Sequence, residues 1–418
     1  MKMLLRFFIV FSALAANAYA QQTGILGVVS DAQGSVITAA KVEAKQVDGS
    51  SFNATTNAQG AYVLPSLVSA EYTITVSAPG FATVKKSLIL LVGQLAQVDV
   101  VLPVESSSFI TEVTTADELA IDTTSSVVAG NVTPKEVQDV PINGRNYIQL
   151  STLIPGVKAN AFGNTPVSAP GGASYGDAET GKFQITMDGL QVPQDSVGSS
   201  FGQPSFSQDA ISQFQIITNR FDATAGRSAG IYVNAQTKSG SNALHGGGFG
   251  YFRNSYFNAA DPISKNVNSF ADEQYGGTLG GPIRKDKLWY FGSYEGEHRQ
   301  NTYTASPIIG PAFSHPSTLK VNEILGRVDY QRNEKNHFLL RGDKYTNSTD
   351  FVGSAEPSSS YSSAYSGYGY VFDWDRNVSS KIVNDVHAGY HHFIFQNLPY
   401  YKTGSIVVTL PTVTVGEA

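Results

Sequence analysis

From His245 to about Gln396, apolar and polar residues alternate with a period of two, one segment after another. That period belongs to β-strands with one dry face and one wet face. Leu288, Tyr290 and Tyr294 oppose Ser293, Glu295 and Glu297. Ile324, Val328 and Tyr330 oppose Glu323, Arg327 and Asp329. Phe338 and Leu340 oppose Arg341 and Asp343. Tyr368, Tyr370, Phe372 and Trp374 oppose Gly367, Gly369, Asp373 and Asp375. Ile382, Val386, Ala388 and Tyr390 oppose Lys381, Asp385 and His387. Earlier stretches repeat the habit: Phe249 and Tyr251 alternate with glycines, and Tyr275 and Leu279 with Gln274 and Thr278. Such strands suit a soluble antiparallel sheet or a membrane barrel.

Connection lengths separate the two. Long polar stretches are expected at Phe252–Asp272, His298–Lys320 and Thr346–Ser363. Tight turns are expected at Pro282–Lys287, Arg332–Asn336 and Arg376–Ser380. Strict long–short alternation is the habit of outer-membrane barrels, whose outer loops are long and inner turns short. The apolar faces are then expected to meet lipid. The six charges Glu295, Glu297, Arg327, Asp329, Arg341 and Asp343 are expected to line the lumen. Composition agrees: charged residues make up 15% of the chain, against about 25% in ordinary soluble proteins.

The N-terminus sets the compartment. Lys2 and Arg6 precede a short apolar run, Phe7–Ala16, and an Ala18-Tyr19-Ala20 cleavage signature. Residues 1–20 read as a signal peptide, and the mature chain is expected to begin at Gln21. The chain has no Cys, so packing and strand pairing must hold it together. After Gln21 no run of 18 or more apolar residues supplies a membrane helix. A net charge of −6 gives no basic footprint for nucleic acid.

Residues 21–103 read as a chain of short strands punctuated by Asp31-Ala32-Gln33-Gly34, Asp48-Gly49 and Asn57-Ala58-Gln59-Gly60, the pattern of a small β-sandwich. Gly27-x-Val29-x-Asp31-x-x-Gly34, Thr56-x-x-x-Gly60-x-Tyr62, Leu67, Tyr72-x-Ile74 and Pro79-Gly80-Phe81 resemble the carboxypeptidase regulatory-like domain. That resemblance implies a transthyretin-like sandwich, grouped with carbohydrate-binding-like folds, whether as a sugar binder or as a spacer.

Residues 104–124 read as an exposed, β-prone linker, and residues 125–239 as a small mixed α/β unit. Thr133-Pro134-Lys135-Glu136 forms a capping box with Pro at the first helical position. Asp209 is a candidate cap for a short helix from Ala210. Phe183–Met187 alternates as a strand and ends in Asp188-Gly189, a hairpin signal.

Val140-Pro141-Ile142-Asn143-Gly144-Arg145-Asn146, with Pro155-Gly156-Val157, resembles the plug domain of TonB-dependent receptors. So do Phe183–Gly189, Ala210–Phe214, Gly226-Arg227-Ser228-Ala229-Gly230 and Asn234-x-x-Thr237-Lys238-Ser239-Gly240-Ser241-Asn242. Phe249-x-Tyr251-x-Arg253-Asn254 and Gly276-Gly277-x-x-Gly280-Gly281-Pro282-Ile283 resemble the start of the barrel in the Oar-like subgroup.

The resemblance implies a mainly β protein: an N-terminal transthyretin-like β-sandwich, a small α/β plug domain, and a partial antiparallel transmembrane β-barrel at residues 240–418. It implies an outer-membrane importer of a large solute, of carbohydrate or peptide class, driven by a TonB-type inner-membrane energy-coupling protein. Outer-membrane lipid is then a further partner, with sandwich and plug on the periplasmic side. The plug motif is Asn143, Gly144, Arg145, Pro155, Gly156, Asp188, Gly189 and Arg227. Ile110, Thr111, Glu112, Val113, Thr114, Thr115 and Ala116 are the candidate TonB box, a segment gripped by strand addition. Arg145 and Arg227 could pair with Glu295 or Glu297. No cofactor, catalytic constellation or metal set stands out, and His391-His392 point opposite ways on a strand. A surface adhesion protein and a periplasmic carbohydrate-binding protein are the alternatives. A sheet in lipid must close, so the chain is expected to be a fragment of a wider barrel.

Overall fold

The computed structural model describes residues 23–46, 50–65, 67, 69–104, 111–113, 129–142, 145, 147–154, 157–159, 167–168, 183–191, 206–217, 231–260, 262, 265, 267, 269–305, 313–333, 335–351, 361–379 and 382–399. The expected leader lies outside them. So do Ile110, Thr114, Thr115, Ala116, Asn143, Gly144, Pro155, Gly156 and Arg227.

The N-terminal sandwich holds β1 (Gly24–Asp31), β2 (Lys41–Gln46), β3 (Ser51–Thr55), β4 (Ala61–Leu64), β5 (Glu71–Ser77), β6 (Val84–Ile89), β7 (Leu95–Gln97) and β8 (Val100–Leu102). One sheet runs β4-β1-β7, with β8 also on β1; the other runs β3-β2-β5-β6. Alternation decides the faces: in β5, Tyr72, Ile74 and Val76 are buried while Glu71 is exposed. They meet Ile25, Val29, Val42, Leu88 and Leu102 in one core. Each such side chain contributes about 1.5–3 kcal/mol on full burial. The two Asx turns close alike. Asp31 Oδ1 accepts from the amides of Gln33 and Ser35, and Asn57 Oδ1 from those of Gln59 and Ala61.

The sequence leaves residues 104–124 as free linker. The structure corrects that at β9 (Thr111–Val113), which lies parallel along β6 as a further strand of the sandwich.

The middle domain contains β10 (Ala129–Val132), α1 (Pro134–Asp139), a 3₁₀ turn at Tyr147–Leu153, and the short ribbon β11 (Lys158–Ala159) with β12 (Val167–Ser168). Then come β13 (Phe183–Met187), β14 (Leu190–Gln191), a 3₁₀ turn at Gln208–Ala210, β15 (Ile211–Ile217) and β16 (Ile231–Thr237). Its sheet order is β10-β15-β16-β13-β14. The capping box forms as expected: Thr133 Oγ1 accepts from the Glu136 amide, and Glu136 Oε2 accepts from the Thr133 amide. The expected cap at Asp209 does not. Ser207 caps Gln208–Ala210, and the Asp209 carboxylate turns to Arg145. Ala210 ends that turn, and Ile211 starts the next strand.

The last body is a sequential antiparallel seven-stranded sheet: β17 (His245–Asn254), β18 (Phe270–Arg284), β19 (Leu288–Ala305), β20 (Phe313–Asn333), β21 (Asn336–Phe351), β22 (Tyr361–Ser379) and β23 (Ile382–Pro399). Among the described residues, β17 and β23 remain its edges. Its strands run further than expected. Residues 298–305, 313–320 and 346–351, read as loop because both faces are polar, stay paired in register. At about 3.3 Å per residue an 18-residue strand spans roughly 60 Å. A tilted membrane strand needs only about 9–11 residues. The excess stands in water, where neither face has to be apolar. The closely joined strand ends keep to one side, where Arg284 pairs with Leu288, Asn333 with Asn336 and Ser379 with Ile382.

The two faces differ sharply. Leu340 and Tyr370 are 55% and 56% exposed, whereas their neighbours Leu339 and Val371 are 5% and 0% exposed. The buried face packs on the middle domain, so that Phe291 and Leu325 join one cluster with Ile185, Met187, Phe214 and Val233.

Candidate functional site

The middle domain and the sheet wall meet along a buried ionic seam with two centres. The first is Arg145. Its backbone is left-handed, with φ 50°. Its Nη2 donates to Asp209 Oδ2 at 2.8 Å, and its Nε to Glu295 Oε1 on β19 at 3.2 Å. Glu295 also accepts from Gln274 Nε2 at 2.6 Å and from the Ser207 hydroxyl. The guanidinium stacks on Phe249, 4.1 Å from the ring centroid, with Tyr251 at 5.3 Å. A planar cation that forks to two carboxylates and lies on aromatic faces is a task for arginine, not lysine.

Phe249 and Tyr251 therefore reverse an expectation. They face the middle domain, not lipid, because the register sets Phe249 opposite Gly276 and Tyr251 opposite Gln274, in line with Glu295 and Glu297 on the inner face. Glycines on the opposite face of β17 left the strand without a polar side to mark the lumen. Glu297 pairs with Arg299 on its own strand, which binds Asp272 at 3.2 Å; Arg227, the other arginine expected at these carboxylates, lies outside the described residues. Lys238 lies near the same centre. Burial pushes its amine below the usual range, Asp209 pulls it back up, and Arg145 lowers it further.

The second centre is Asp188, and here the polarity is inverted. Asp188-Gly189 forms the two-residue loop between β13 and β14, both residues at positive φ, as a primed hairpin turn demands. Asp188 Oδ1 accepts from the Thr237 amide at 2.9 Å and from Arg327 Nη1 at 3.2 Å. Asp188 Oδ2 accepts from the Thr237 hydroxyl at 2.9 Å and from Arg341 Nη1 at 2.6 Å. Arg327 has a second anchor, a two-pronged pair with Asp329 at 2.8 and 2.9 Å. Arg341 is 0% exposed, and its other carboxylate, Asp343, stands 3.4 Å away. The tripeptide Arg341-Gly342-Asp343 is thus strand interior.

The hairpin also touches the last described strand. A Cβ at Gly389 would sit 1.8 Å from the Leu190 side chain, so any larger residue there would force Leu190 to shift where β14 meets β23.

Further along the same face, His337 lies between Asp329 and Asp375, at 3.5 and 3.6 Å. His387 lies between Asp373 and Asp385, at 3.3 and 2.7 Å. Asp373, Asp385 and His387 are the one group among the described residues whose ligand atoms could share a cation, within 4.8 Å of one another. Both ring nitrogens of His387 already face carboxylates. His391 and His392 take opposite faces, His391 beside Gly369 and His392 against Tyr368.

The expected charges Glu295, Arg327, Asp329, Arg341 and Asp343 therefore all lie buried on the wall's inner face. Sequence reasoning missed Thr237, Ser207, Asp209, Gln274 and Phe249 as members of the seam. Thr237 stood within a quoted motif, and that was its only signal. Asn242, from the same run, explains itself in the structure: its amide oxygen accepts from the Asp286 amide and Trp289 Nε1, fastening the crossing segment to the β18–β19 turn.

Comparison with known proteins fits these bodies. A model described as the carboxypeptidase regulatory-like domain matches residues 24–103, and one described as the outer membrane beta barrel domain matches residues 236–312. The TonB-dependent transporter Oar of Myxococcus xanthus is 29% identical over 304 residues, covering 66% of this chain and 27% of that protein. The chain thus spans about a quarter of that relative's length. The outer membrane transporter YddB of Escherichia coli superposes with TM-score 0.49 at 14% identity, covering 64% of this chain and 39% of that one. For the siderophore receptor PirA of Acinetobacter baumannii the TM-score is 0.46 at 17% identity, with 64% and 40% covered. By its two domain matches and its homology to Oar, the chain is an outer-membrane β-barrel protein similar to a TonB-dependent transporter.

Proposed function

We propose that the chain supplies the periplasmic sandwich, the plug and the first wall strands of an importer for a large solute, of carbohydrate or peptide class. The middle domain is the plug. Ile110–Ala116 is the segment that a TonB-type inner-membrane protein grips, and the seam is what its pull must open. One observation carries the reading: both centres of the seam cross between plug and wall, Arg145 to Glu295 and Asp188 to Arg327 and Arg341.

An ionic seam is brittle in a useful way. Two unit charges about 4 Å apart interact by roughly 4 kcal/mol at an effective dielectric of about 20, and by about 1 kcal/mol in water. The seam therefore holds while dry and fails once water enters. A greasy interface would instead yield gradually with area. Opposite polarities at the two centres also fix the plug's register, because a slipped plug would face like with like.

The test is uptake of labelled oligosaccharides and oligopeptides by cells, with and without a proton gradient at the inner membrane. The proposal expects accumulation of one class that stops when the gradient collapses, and stops when Thr111–Ala116 is deleted at unchanged outer-membrane levels. Accumulation that survives both treatments would refute it.

A further inference from the structure

The sandwich's second sheet ends on β6, and an open edge invites another strand. That edge is basic, with Lys85 and Lys86 in sequence. Residues 104–124 carry Glu105, Glu112, Asp117, Glu118 and Asp122 and no Lys or Arg. From within this acidic stretch, β9 pairs in parallel with β6, Val84 to Thr111, Lys85 to Glu112 and Lys86 to Val113. The sandwich is itself fastened to the middle domain. The Ser69 hydroxyl donates to Gln236 Oε1 on β16 at 2.8 Å, and Gln236 Nε2 donates to Thr23 Oγ1 at 3.5 Å.

We propose that the β6 edge is a resting dock for the coupling segment, which must peel from β6 before an inner-membrane partner can grip it. The inference rests on the reading of Ile110–Ala116 as that segment. Three paired residues span only about 10 Å. A partner that adds a strand along all seven residues has to draw them into one extended stretch, and this strips β9 from β6. Three residues of pairing are also few enough to be reversible. The dock then sets how often the segment is free, and apparent affinity for the partner falls by that fraction.

The absence of Cys allows a clean test on the whole chain. Lys85→Cys with Glu112→Cys puts two thiols on register partners. Neighbouring strands lie about 4.8 Å apart, within the Cα range of a disulfide. The probe is the purified periplasmic domain of the host's own TonB-type protein. The oxidised chain is expected to bind it at least about tenfold more weakly than the same chain after reduction. Equal affinity in both states would overturn the dock. On the unsubstituted chain, hydrogen exchange should show Thr111–Val113 amides protected, and deprotected when the domain is added. No protection would also overturn it. If deleting Thr111–Ala116 leaves domain binding intact, the coupling assignment fails, while the exchange measurement still decides the dock.

Discussion

Replacing Asp188 with Asn is the most discriminating perturbation of the seam. The amide keeps the volume and one acceptor, so Thr237 and Arg327 can retain bonds to Oδ1. Nδ2 would then replace Oδ2 and present hydrogens to Arg341 Nη1, now 2.6 Å from an acceptor. Arg327 still has its two bonds to Asp329. Arg341 has only Asp343, 3.4 Å away, and no solvent. The cost therefore falls on Arg341. Breaking one side of a buried ion pair costs about 3–5 kcal/mol. The lower bound corresponds to roughly a hundredfold in an opening equilibrium. Hydrogen exchange of the hairpin amides Thr186–Gln191 reads that opening, because exchange there requires the hairpin of the middle domain to leave the wall. Arg341→Met alone should cost a similar amount, and the double variant little more than either single one. Hairpin protection within about threefold of the parent, or strictly additive single effects, would refute the claim that Asp188 and Arg341 form one coupled unit.

Three further outcomes follow from the same geometry. Arg145→Lys should loosen the first centre more than Glu295→Gln does. Lysine loses both the fork and the ring stacking, whereas a glutamine on β19 would leave Arg145 paired to Asp209; denaturant unfolding with a tilt of about 1 kcal/mol between the two checks this. Leu340→Arg, on the exposed face, should cost about 2–4 kcal/mol of stability in a bilayer, read as lowered urea resistance in liposomes; an unchanged midpoint would count against a lipid-facing site. Thr133→Ala should cost about 1 kcal/mol through loss of the cap on α1, seen as faster amide exchange over Glu136–Val140 with the wall unaffected.

What could be read from sequence was local or periodic. The capping box at Thr133 and Glu136 lies within one turn, and the hairpin at Asp188-Gly189 within two residues, so neighbouring residues dictate both. Alternation along β20 told Ile324 from Glu323 because each face meets one medium. What joins across the fold was not legible. Asp188 finds Arg327 and Arg341 at separations of 139 and 153 residues, which no local pattern encodes. Asp209 read as a cap because a carboxylate before a helix usually is one; a distant arginine claimed it, and Ser207 took the role. Phe249 and Tyr251 showed a period without a sign, because glycine on the other face gave no cue to which side was wet. The strand ends at residues 313–320 and 346–351 read as loop because polar residues on both faces look the same, paired or unpaired.

The most direct test is a scan of single cysteines at positions 323, 324, 325, 339, 340, 370 and 371 of the otherwise Cys-free chain. Each would carry a fluorophore and be quenched from the lipid phase or from water in an outer-membrane preparation. Lipid-borne quencher should reach positions 324, 340 and 370 and spare 323, 325, 339 and 371, which are buried on the inner face. Uniform quenching from water at all seven positions, or lipid access without a period of two, would contradict a membrane wall packed against a plug.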